Sequence, residues 1–214
     1  MVRFLKRQYA LCGQFFRERL LRRALWCLAA FVAAGLLAGL LCPREQAAAL
    51  QERFAEALQQ EELMDAQGGI RMPELFLHNV RTVASSMLAG LVPFLFLPAA
   101  ILLLNGGLLG VVLSLYGKSA WKLLLLGILP HGIFEIPAIM LGCAMGLLLC
   151  RSVMDSLRKK PGAQPLEKLF PALFRVFFCY CVPLLLAAAA IESWVTPLCL
   201  GLLGPFGGGA GVGV

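Results

Sequence analysis

Charge is scarce in this chain and unevenly spread. Aspartate, glutamate, lysine and arginine make up 14% of its 214 residues, where soluble proteins carry about 25%. Between Thr82 and Gly117 there is no charged residue at all. Hydrophobic residues reach 60% and the mean hydropathy is +0.82. The apolar runs are too long for globular core helices and reach the length of a membrane span, about 18 residues or more. A soluble domain is excluded.

Histidine is nearly missing as well, with His78 and His131 the only two. No HExxH occurs; the order after His131 is HxxxE, which does not fit a zinc protease helix. The eight cysteines, Cys12, Cys27, Cys42, Cys143, Cys150, Cys179, Cys181 and Cys199, include no CxxC pair. Most lie within or at the ends of apolar runs, where cysteine behaves as a small hydrophobe. No nucleophile sits at the spacing from a base that covalent catalysis needs. Neither an enzyme, nor a metal, nor another cofactor is expected.

The charge that is present has a direction. Arg3, Lys6, Arg7, Arg17, Arg19, Arg22 and Arg23 precede the first apolar run, against Glu18 alone. Arg151, Arg158, Lys159, Lys160 and Lys168 form a second basic group between later runs. Basic residues flanking spans mark the cytoplasmic side, so the net charge of +7 reads as topology and not as nucleic-acid binding. Residues 2–18 have helical periodicity with apolar Phe4, Leu5, Tyr9, Leu11, Phe15 and Phe16 on one side. They read either as an interfacial helix or as a plain topology signal.

Residues 1–23 are thus a basic cytoplasmic segment, followed by a membrane domain over 24–203 and a glycine-rich tail over 204–214. The predicted fold is an all-α bundle of about five transmembrane helices, at 24–42, 76–97, 99–116, 123–150 and 171–203. The fourth is expected to kink or break at Pro130-His131-Gly132, since prolines and glycines interrupt a helix. A cleaved signal peptide is disfavoured because the first apolar run and its basic lead-in are too long. Segment 43–72, with Glu45, Glu52, Glu56, Glu61, Glu62 and Asp65, is placed outside, and loop 151–170 inside. Leu50, Phe54, Ala57 and Leu58 give that outer segment an amphipathic helical pattern.

Polar groups within the apolar stretches are the candidate site, because such groups are costly in hydrocarbon and tend to face protein, water or ligand. They are Asn79 and Arg81, Asn105 with Gly106 and Gly110, then Pro130, His131, Gly132, Glu135 and Pro137, and later Glu192. His131 and Glu135 are four apart and share a helix face. Such a pair can relay protons, bind a metal given further ligands, or clasp the helix to Arg81 or Asn105. Arg81 is expected to snorkel or to pair with Glu135 or Glu192. Gly106 and Gly110, like Gly35 and Gly39, form GxxxG faces for close packing.

These same interruptions carry a resemblance. Asn79-Val80-Arg81, Gly90, Pro93, Asn105-Gly106, Gly110, Gly117, the run Leu129-Pro130-His131-Gly132-Ile133-Phe134-Glu135-Ile136-Pro137-Ala138, and Gly142 resemble the signature of the stage II sporulation protein M family. Ile191-Glu192-Ser193-Trp194-Val195-Thr196-Pro197 is similar to its closing motif, and the likeness spans about residues 20 to 203. The resemblance implies a non-enzymatic, multi-pass protein of the bacterial cell membrane. In spore formers it implies a scaffold for the engulfment machinery, anchoring the peptidoglycan-degrading stage II sporulation proteins D and P. Similar proteins accompany circular-bacteriocin production and immunity, often beside transporter subunits. The alternative it leaves is therefore a permease-like or export subunit working with an ABC ATPase. It carries over no catalytic residue.

Overall fold

The computed structural model describes residues 2–47, 49–50, 52, 71–162 and 164–201. Most of the acidic segment 43–72 and the glycine-rich tail lie outside the described residues. Long apolar runs must satisfy their backbone groups internally in lipid, and a helix does so within one segment. The chain is accordingly an all-α membrane protein, with no strand among the described residues. Among the described residues, four helical stretches are long and apolar enough to cross a membrane: Gln8–Leu41, Pro93–Leu115, Gly117–Leu157 and Leu166–Trp194.

Helix α1 (Val2–Phe15) continues through a π-helical turn, Phe16–Leu20, into α2 (Leu21–Leu41). The N-terminal stretch is thus continuous with the first span, and it packs against protein. Cys12 and Leu20 are buried, while Tyr9 and Leu11, expected on the apolar face, are exposed. Phe16 lies 5.8 Å from the Tyr180 ring, centroid to centroid.

Helix α3 (Met72–Leu88) has 17 residues, about 25 Å at 1.5 Å per residue. It ends well short of residue 97. Two 3₁₀ turns, Ala89–Leu91 and Pro93–Leu95, lead to Phe96, which adopts a left-handed conformation with φ 45°. That reversal starts α4 (Leu97–Leu115), whose first turn holds Pro98, where a missing N–H costs nothing.

The expected break at Pro130-His131-Gly132 is a change of winding instead. A π-helical stretch, Leu123–Ile128, passes directly into α5 (Leu129–Leu157), with Pro130 in its first turn and Pro137 inside it. The wider turn just upstream accommodates the proline ring and its absent donor. The last apolar run starts at Leu166 and not at Pro171. It comprises α6 (Leu166–Val176), a π-helical turn Phe177–Cys181, and α7 (Val182–Trp194); after Val195 comes α8 (Thr196–Gly201).

Helix α5 is the axis of the bundle. Its residues Met145 and Leu149 are fully buried with Leu20, Met87, Leu169, Leu173 and Leu185 from four other elements. Val83 of α3 lies against Gly142, and Ser86 against Gly146, so α3 and α5 run in the same direction. Cys181 faces the Ala138 carbonyl, and Thr196 faces His131, so α7 runs against them. Two cysteines tie α5 to the reversal: Cys143 Sγ donates to the Pro98 carbonyl and Cys150 Sγ to that of Pro93, each at 3.2 Å. The α3–α4 hairpin therefore reaches the depth of Arg151. The bundle has a His131 end and an Arg151 end.

Candidate functional site

The site is at the His131 end. On α5, one helical turn separates His131 from Glu135, and Nε2 lies 4.0 Å from Oε2. Helix α7 returns antiparallel and adds Glu192, whose carboxylate falls within 4.8 Å of the other two ligand atoms. Just beyond it, at the start of α8, buried Thr196 places Oγ1 3.3 Å from His131 Nδ1. His78 of α3 sits close enough to act electrostatically on Glu135. Both histidines of the chain meet at this one end.

Helix geometry explains which predicted residues join and which do not. Asn79 shares the buried stripe of α3 with Leu75 and Val83, and its amide nitrogen has no hydrogen-bond partner among the described residues. Arg81, two positions on, points the opposite way. It is exposed and makes no ion pair among the described residues, so the expected pairing with Glu135 or Glu192 does not form. Asn105 donates to the Ile101 carbonyl of its own helix at 2.8 Å and clasps nothing across the bundle. Pro137 is exposed. Gly132 is buried, yet a Cβ there would meet only side chains at ordinary distances, 3.5 and 3.6 Å.

Gly106 and Gly110 serve a different interface. They face Phe31, Gly35 and Gly39 of α2, and a Cβ on Gly39 would lie 2.8 Å from the Gly110 carbonyl oxygen. The two GxxxG motifs are one parallel helix contact, with backbones closer than any side chain allows.

Two contributors were not singled out from the residues as site groups. Thr196 appears in the sequence only as part of the closing motif, yet its hydroxyl sets the imidazole. Ser193, beside Glu192, has a buried hydroxyl without a partner among the described residues. The signal available was the rarity of such groups near the end of an apolar run.

Chemically, two carboxylates and an imidazole within this distance can share a proton or hold a cation. The third metal ligand that the spacing of His131 and Glu135 lacked is supplied by Glu192. Deeper in the bundle no charged group continues the site among the described residues. From Ala138 to Cys150, α5 has no charged residue, and neither do α3 after Arg81, α7 before Glu192, α4, or α2 after Arg23.

No curated protein and no solved structure matches the chain. A family profile does, that of stage II sporulation protein M, over residues 27–197. That match takes in the paired glycine motifs, α3 with Arg81, and every group of the His131 site. The chain belongs to the stage II sporulation protein M family.

Proposed function

We propose that this protein is a non-enzymatic membrane scaffold whose docking face is the outer side of α3, centred on Arg81. The observation that carries the reading is the position of that guanidinium. Val83 lies against Gly142, which puts Arg81 level with Met140, midway along α5 between Leu129 and Arg151. There it is exposed on the outside of the bundle, in a stripe with Leu77, Ser85 and Leu88. An arginine facing lipid at the bilayer midplane is expensive, and at that depth snorkelling must deform the membrane. A partner helix bearing an aspartate or glutamate at the same depth relieves the cost and gains a charge-assisted bond.

In this reading the N-terminus is cytoplasmic, α3 is a fifth, shorter crossing, and the Arg151 end faces the cytoplasm. The basic groups at Arg22–Arg23 and Arg151–Lys168 then share one side. The partner in a spore former is the engulfment complex of peptidoglycan hydrolases, stage II sporulation proteins D and P. The alternative, an export or immunity subunit with an ABC ATPase, draws support from the polar cluster at His131. It is the weaker reading because no charged residue leads on from that cluster across the bundle among the described residues.

The test is crosslinking in native membranes followed by purification of the tagged protein, wild type beside Arg81→Ala. The scaffold reading expects cell-wall hydrolases or their membrane anchors with the wild type and their loss with Arg81→Ala at equal abundance. An ATPase that survives Arg81→Ala would favour the export subunit.

A further inference from the structure

We propose that His131, Glu135 and Glu192 form a binding site for one divalent transition-metal ion of the zinc class, with Thr196 orienting the imidazole. The site is independent of the scaffold reading and uses none of the Arg81 face.

The donor set is the first ground. One imidazole nitrogen and two carboxylates are ordinary ligands for zinc, at about 2.0–2.2 Å each. Their atoms lie within 4.8 Å of one another. His131 Nε2 and Glu135 Oε2 are 4.0 Å apart, too far for a hydrogen bond. Tetrahedral ligands at that bond length stand about 3.4 Å apart, so the two side chains must close by about half an ångström to share an ion.

The second ground is the ring's orientation. Thr196 Oγ1 lies 3.3 Å from His131 Nδ1; with Nδ1–H as the donor, the Nε2 lone pair is left for an ion beside Glu135. Metal-binding histidines almost always use the remaining ring nitrogen in this way, fixing both tautomer and rotation. Thr196 is buried, so the hydroxyl is not free to turn to solvent.

Charge balance is the third. Glu135 and Glu192 come from different helices yet face each other in a largely apolar bundle, where like charges repel strongly. A divalent ion neutralises both. His78 of α3 acts on Glu135 electrostatically from beside the cluster. The side chains of His131 and Glu135 retain 13% and 24% exposure. The site is therefore not sealed within the bundle.

The experiment uses the full-length protein in nanodiscs, stripped with chelator and titrated with Zn²⁺ and then with Co²⁺. We expect saturation at a single equivalent. His131→Gln and Glu192→Gln should each weaken binding about tenfold or more, while Glu74→Gln, on the same side of the bundle, should leave it unchanged. The cobalt spectrum of the wild type needs no variant to fold: it should show the ligand-field bands of nitrogen and oxygen ligands. Strong sulfur-to-cobalt charge transfer would assign the ion to cysteine and overturn the site, as would unsaturable uptake or binding unaffected by both variants. Because no partner is present, these outcomes leave the Arg81 reading untouched.

Discussion

Gly110 packs so closely on Gly35 that a Cβ added to Gly110 would fall on the Gly35 carbonyl. Gly106 stands in the same relation to Phe31, one turn away. Gly110→Leu or Gly106→Leu must therefore drive α2 and α4 apart along their whole contact. Overpacking a core costs about 1–3 kcal/mol where side chains can move, and backbone cannot move as easily. Either variant is expected to lose at least that much stability, read as a lower unfolding temperature in detergent and lower abundance in the membrane.

Two glycines of the family motif should behave oppositely. A Cβ on Gly90 would strike the Gly146 backbone, whereas one on Gly132 meets only Ile128 and Ile136 side chains at contact distance. Gly90→Ala is expected to destabilise the protein by about 1–3 kcal/mol. Gly132→Ala should be neutral or stabilising by up to about 1 kcal/mol, since alanine is the better helix former. Thermal unfolding of the two variants side by side checks the contrast.

Thr196 Oγ1 is the hydrogen-bond partner of His131 Nδ1. Thr196→Val keeps the shape of the side chain and removes the hydroxyl, so His131 loses its fixed tautomer. Zinc affinity is expected to drop about tenfold with membrane abundance unchanged, and Thr196→Ser should restore most of it. A structural role alone would lower abundance without changing affinity in the protein that remains.

Sidedness can be read directly. Arg44 follows α2, and Lys160 follows α5 at the opposite end of the bundle; both are exposed. Arg44→Cys should label with an impermeant thiol reagent in intact cells, above the background of the native cysteines. Lys160→Cys should label only after the membrane is opened. Labelling of both from outside would overturn the cytoplasmic placement of the Arg151 end.

What could be read from the residues was mostly composition and local pairing. The absence of charge from Thr82 to Gly117 is enough to require helices in a membrane. Each GxxxG motif is visible alone, but that Gly35–Gly39 meets Gly106–Gly110 depends on α2 and α4 running parallel, which no local signal encodes. The proline rule misleads at Pro130, because a π-helical stretch at Leu123–Ile128 absorbs the disturbance before the helix reaches it. Counting charges leaves Arg81 to snorkel or to pair with Glu135 or Glu192; helical phase excludes the pairings, since Asn79 takes the inward position and residue 81 faces away. His131 and Glu192 are far apart in the chain and meet only through the antiparallel return of α7.

The most direct test of the docking face is photo-crosslinking from defined positions in native membranes. A benzophenone residue at Leu77 or Ser85 reports on the Arg81 stripe, and one at Leu104, more exposed still but on α4, reports on bare lipid contact. The scaffold account predicts a discrete crosslinked protein from positions 77 and 85, none from 104, and disappearance of the product when Arg81→Leu is combined with the probe. Crosslinks to lipid alone at all three positions, or a product indifferent to Arg81, would contradict it.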